Sequence, residues 1–169
     1  ELFVNGRSCG VRHPEEYTVN WQIPYEKGEI RVKATAADGT VYEDVKRSFG
    51  DSAKIVLSAY SDNVKADGED IAFVTVSTVD KDGNPVENAR DRIFLTVDGG
   101  RLVGFDNGDS TDYDNYKSAD RRLFSGKAVA YISADTSDGV ITVTAEGDGL
   151  EKSVITIEKV KSDIREGIS

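Results

Sequence analysis

The chain has 169 residues, with 31 Asp and Glu against 21 Lys and Arg, a net charge of −10, one Cys, one His and no Met. That acidic balance excludes the clustered basic surface that nucleic acid or an anionic membrane requires, and a single cysteine makes neither an internal disulfide nor a cysteine-based zinc site. No apolar run approaches the roughly 18 residues of a membrane span. The missing Met is read as the mark of a processed or excised piece, so the expected function is that of a part, and its compartment is left open.

From the start of the chain, Glu1-Leu2-Phe3-Val4 reads as a strand entered midway. It is turned back by Asn5-Gly6, a strong two-residue hairpin signal because both residues tolerate positive φ. Tyr17, Val19, Trp21 and Ile23 alternate with Thr18, Asn20 and Gln22, which predicts a strand with one buried face and a core tryptophan. Ile30, Val32 and Ala34 predict another. About four strands therefore precede Phe49-Gly50-Asp51-Ser52, where the alternation breaks. Seven strand candidates follow, over residues 54–60, 71–80, 92–98, 101–105, 127–134, 140–146 and 152–158. They are separated by turn signals such as Asp67-Gly68, Asp82-Gly83-Asn84-Pro85 and Asp138-Gly139. No long segment has the helical period.

The expected fold is all-β, built from antiparallel immunoglobulin-like β-sandwiches. Residues 50–160 form a complete seven-stranded sandwich, residues 1–49 a truncated one, and residues 161–169 a frayed tail. Truncation leaves edge strands and apolar faces around Leu2, Val4, Val19 and Trp21 uncovered. The first unit is thus expected to lean on the second or to pair with another copy of the chain as a homo-oligomer.

Both units resemble the C-terminal accessory domains of bacterial family 2 glycoside hydrolases of the β-galactosidase type. In the first, Glu1-Leu2-Phe3-Val4-Asn5-Gly6-Arg7-Ser8 with Gly10 is similar to the hairpin of the immunoglobulin-like domain behind the catalytic barrel. Trp21-Gln22-Ile23-Pro24-Tyr25-Glu26-Lys27-Gly28-Glu29-Ile30 looks like a second motif of that domain, with Lys27 where proline is usual. In the second unit, Asp80-Lys81-Asp82-Gly83-Asn84-Pro85-Val86, Gly104-Phe105-Asp106-Asn107-Gly108-Asp109 and Arg122-Leu123-Phe124-Ser125-Gly126-Lys127-Ala128 resemble the last domain of the same enzymes. That domain is itself similar to invasin-type bacterial repeats. The resemblance implies a parent that hydrolyses β-galactosides or related glycosides with retention, using two barrel glutamates held about 5 Å apart. Nothing in this chain matches the barrel motifs, so the resemblance implies a non-catalytic fragment that uses no cofactor. Its partners would be the remaining domains of the parent.

Four candidate sites stand out from the residues themselves. Cys9 and His13 lie four apart beyond the hairpin, which suits a small buried filler and a loop residue better than a nucleophile and its base. Asp80, Asp82 and Asn84 alternate like the start of a calcium loop. Pro85 at the sixth position and Asp91 at the twelfth break that pattern, leaving a turn whose Asp caps backbone N–H groups, and no metal is expected. Carboxylate pairs arise by chance among 31 acids. The most unusual stretch is 106–116, inside roughly twenty residues that interrupt the sandwich between its fourth and fifth strands. Tyr113 and Tyr116 with Asp106, Asn107 and Asp109 form a candidate carbohydrate-contact patch, since rings stack on sugar CH faces while carboxylates and amides bond hydroxyls. The plain alternative is a loop that packs on a neighbouring domain. An adhesin or stalk repeat is the third reading. It would repeat the motifs of the second unit, whereas residues 1–49 carry different ones.

Overall fold

A computed structural model describes residues 1–162. The expected frayed tail therefore lies, from residue 163 onward, outside the described residues. The chain divides into two compact units, Glu1–Ser48 and a second that begins at Phe49.

In the first unit β1 (Leu2–Val4), β2 (Arg7–Ser8), β3 (Glu29–Thr35) and β4 (Val41–Arg47) form one antiparallel sheet in the order β2-β1-β3-β4. Asn5 and Gly6 adopt φ of 48° and 78°, as a two-residue turn between paired Val4 and Arg7 demands. The Asn5 carboxamide does more than turn the chain. Its Nδ2 donates to the Lys27 carbonyl and its Oδ1 accepts the Glu29 N–H at 2.8 Å, which ties the hairpin to the entry of β3.

The strand expected over 17–23 does not form. Tyr17 is fully exposed at φ 69°, and the segment's one ladder element is an isolated bridge between Glu15 and Thr18. Burial still alternates, with Val19, Trp21 and Ile23 half-buried and the intervening residues exposed, although residues 19–23 belong to no strand ladder. Trp21 is accordingly not a full core residue, and its indole N–H is buried without an acceptor. Nor are Leu2 and Val4 uncovered, being 8% and 4% exposed. Cys9, expected as a buried filler, is half-buried, with Sγ directed at the Arg7 carbonyl.

The second unit is a two-sheet sandwich. One sheet has the order β5-β7-β11-β9, from Lys54–Ala59, Ile71–Val79, Lys127–Ala134 and Gly100–Asp106. The other has the order β10-β8-β12-β13-β6, from Asp120–Arg122, Arg92–Asp98, Gly139–Gly147, Ser153–Val160 and Asn63–Lys65. All seven expected strands are present. In chain order their first, second, fifth and fourth members share one sheet, and the third, sixth and seventh the other, the arrangement of a constant-type immunoglobulin domain. Two short strands, β6 and β10, add to the edges of the second sheet. β6 pairs in parallel with β13, so that sheet is mixed.

The apolar phase of each strand faces inward, and Ile55, Val74, Val76, Ile93, Phe105, Ile132, Ile141, Val143 and Ile157 are all fully buried between the sheets. After β7, Asp80 spends both carboxylate oxygens on the chain. Oδ1 accepts the N–H groups of Asp82 and Asn84, and Oδ2 accepts that of Gly50. This is the backbone-capping turn, and Asp80 is held down to about pKa 2, first by the Gly50 N–H.

Candidate functional site

β10 shortens the expected long loop to residues 107–119, between the end of β9 and the start of β10. The loop is sewn to both sheets. The Tyr116 carbonyl accepts the Phe105 N–H beside β9, and the Ala119 carbonyl accepts the Leu95 N–H beside β8. It thereby covers backbone groups on the strand-edge side of the sandwich, where open edges invite unwanted pairing.

Short polar side chains shape the loop from within. Asn107 Oδ1 accepts the Asp109 N–H, Asp109 Oδ1 accepts both the N–H and the hydroxyl of Thr111, and Asp112 Oδ1 accepts the Asp114 N–H. Two arginines, which the sequence reading did not single out, brace the loop from the sandwich. Arg121 on β10 is 2% exposed and donates to Asp112 Oδ2 at 2.9 Å and to the Asp114 carbonyl at 3.2 Å, while its Nε is buried without an acceptor. Arg92 at the start of β8 bridges Asp114 and Asp120. No periodic signal marked them, because Asp120-Arg121-Arg122 is charged throughout and only the fold turns Arg121 inward.

The five residues of the expected patch fall into two groups. Asn107, Asp109 and Tyr113 line a depression of about 350 Å³ together with Arg90, Arg92 and Arg122. Tyr113 is wholly exposed at its rim. Asp106 and Tyr116 belong instead to the sheet face. Asp106 ends β9, opposite Val129 of β11, and the Tyr116 ring lies against Gly104, 6.0 Å from the Tyr131 ring. A Cβ on Gly104 would stand 2.1 Å from Tyr116 Cε1, so glycine is what admits the ring. Burial, then Tyr131 and Asp106, push the Tyr116 hydroxyl above its ordinary pKa.

Three carboxyls in and beside the loop are held below their ordinary pKa. Asp109 is lowered by the Thr111 hydroxyl and N–H, Asp112 by the Asp114 N–H and by Arg121 and Asn107, and Asp120 by Ser118 and Arg92. Groups held this way accept hydrogen bonds at neutral pH and are unsuited to a general acid, which needs a raised pKa. The depression is therefore chemically a hydrogen-bonding surface of mixed charge. His13 and Trp21 line a separate hollow of about 500 Å³ in the first unit, with Val32 and Val41.

Fold and loop together describe an immunoglobulin-like sandwich with a braced inter-sheet loop. Residues 55–156 match the family described as glycoside hydrolase family 2 C-terminal domain 5, and residues 1–43 match a family described as a domain of unknown function. The chain belongs to the glycoside hydrolase family 2 C-terminal domain 5 family, an accessory part of those enzymes and not the catalytic one. It is 34% identical over 160 residues to a β-galactosidase of Bacteroides ovatus, covering 93% of this chain and 19% of the relative. It is 23% identical to a β-glucuronidase of Formosa agariphila, covering 18% of that protein. The chain thus spans about a fifth of the length of the curated relatives it matches. Among solved structures, a β-glycosidase from Bacteroides vulgatus superposes with a TM-score of 0.88 at 29% identity, over 93% of this chain and 20% of that one. A family 2 glycosyl hydrolase from Bacteroides cellulosilyticus superposes with a TM-score of 0.87 at 27% identity, over 95% and 21%.

Proposed function

We propose that this chain is the structural C-terminal segment of a longer family 2 glycosidase acting with retention on β-galactosides or related glycosides. Residues 1–49 would be part of one immunoglobulin-like domain and residues 50–160 the whole of the next. Its task is to support and orient a catalytic barrel that carries the two glutamates of the retaining reaction. The observation that carries this reading is the alignment of both units with one β-galactosidase, over 93% of the chain. The braced loop supports it, because a segment fixed by Arg92 and Arg121 presents a rigid surface to a neighbouring domain. Assembly through the open edges of β2 and β4 belongs to the same reading. The test is to remove these residues from the longer enzyme. Its thermal stability is expected to fall while the chain alone shows no glycosidase activity, and unchanged stability would overturn the proposal.

A second reading, carbohydrate contact by the loop, is favoured by the depression at Asn107, Asp109 and Tyr113. Calorimetric titration of the chain with galactosides and oligosaccharides tests it, and a flat isotherm at millimolar sugar removes it.

A further inference from the structure

The outer face of the sheet β5-β7-β11-β9 carries a line of aromatic rings that no sequence motif revealed. Register assembles it. Phe73 of β7 lies opposite Tyr131 of β11, and Tyr131 lies opposite Gly104 of β9, which Tyr116 covers. Tyr60, just past β5, donates its N–H to the Phe73 carbonyl and so continues the line on the other side. Phe73 and Tyr131 meet edge to face at 5.4 Å, and Tyr131 and Tyr116 at 6.0 Å. Tyr60, Phe73 and Tyr116 are 91%, 45% and 46% exposed. The line crosses four strands, a span of about 14 Å at the usual strand spacing.

We propose that this aromatic line is a binding surface for a neutral oligosaccharide chain. Three observations select that occupant. The most exposed apolar groups are rings, which suit the CH faces of sugars, and the aliphatic side chains of Ile71 and Val129 flank them. The adjacent levels of the face are mixed: Ser58, Thr75 and Asp106 with Val129 on one side, and Ser133 and Arg101 with Ile71 on the other. They offer hydroxyl, carboxylate and guanidinium partners for sugar hydroxyls, with one acid against one base. The exposed ring surface amounts to about 350 Å², less than half of the roughly 800 Å² per partner that a stable protein interface buries. The surface is distinct from the depression at Asn107 and Tyr113, and its use does not depend on the activity of the longer enzyme.

The test uses the 169-residue chain and its amide NMR spectrum, titrated separately with cellopentaose and a β-1,4-galactopentaose. At least one is expected to shift the amides of Phe73, Tyr131 and Tyr116 with about millimolar affinity. The Tyr60→Ala and Phe73→Ala pair is expected to weaken binding at least about tenfold. Tyr60→Ala alone removes only an exposed ring, so it reports on binding even where Phe73→Ala disturbs the sheet. Absence of shifts at about 10 mM sugar overturns the proposal. So do shifts confined to Asn107 and Tyr113, and so does a dimer, seen by sedimentation, that the double variant dissociates, because the face would then be a protein contact.

Discussion

Replacing Arg121 with Ala tests whether the loop is braced from the sandwich. The guanidinium is nearly inaccessible, and it holds Asp112 Oδ2 and the Asp114 carbonyl. Removing one member of a buried ion pair costs about 3–5 kcal/mol, because the other charge is left buried. Here Asp112 keeps the Asn107 amide and the Asp114 N–H and is 14% exposed, so the lower end applies, about 3 kcal/mol. For a domain of this size that is a fall of about 12 °C in the melting temperature of the second unit, read by calorimetry. Hydrogen exchange is expected to quicken in the loop before the core strands. Combining Arg121→Met with Asp112→Asn removes both charges and is expected to recover all but about 1 kcal/mol. A fall of less than about 4 °C for Arg121→Ala would refute the bracing argument.

Other expectations follow from particular contacts. Asp80 and Asp135 are both held at about pKa 2, Asp80 chiefly by the Gly50 N–H and Asp135 by the Ser137 hydroxyl and then the Lys159 ammonium. Their folded values lie below the ordinary 3.8, so the stability they bring is complete above about pH 4 and is lost as pH falls toward 2. Urea midpoints measured across that window should drop, and Asp80→Asn should flatten the drop. Phe105→Ala empties the largest fully buried side chain and should cost about 3–5 kcal/mol in urea unfolding. Gly104→Ala should expel the Tyr116 ring and abolish Tyr116–Tyr131 contacts in NMR, while the core strands keep their exchange protection.

The seven strands of the sandwich were legible because each alternates over its whole length and is bounded by a turn signal, as at 127–134 and 140–146. Residues 17–23 alternate as clearly, yet periodicity reports which face is buried and says nothing of a partner for the backbone. There the chain makes no strand ladder beyond the isolated Glu15–Thr18 bridge. β4 was overlooked for the opposite reason. Glu43, Asp44, Lys46 and Arg47 load this edge strand with charge, which guards the edge and hides the period. β6 and β10 are three residues each, too short to show a period. In the candidate site, neighbours in sequence lie on two different surfaces. Asp106 and Asn107 are neighbours, but one ends a strand on the sheet face and the other turns into the loop depression. The aromatic line was illegible because its members come from separate strands, and only register brings residues 60, 73, 131 and 116 together.

These residues are proposed to serve a glycosidase without performing its chemistry. The most direct measurement compares the longer enzyme, the same enzyme ended before Glu1, and the 169-residue chain alone, following aryl β-galactoside hydrolysis and thermal unfolding together. No turnover by the isolated chain is expected, with a loss of more than about 5 °C in the unfolding temperature of the shortened enzyme. Turnover by the isolated chain, or a shortened enzyme as heat-stable as the intact one, would contradict it.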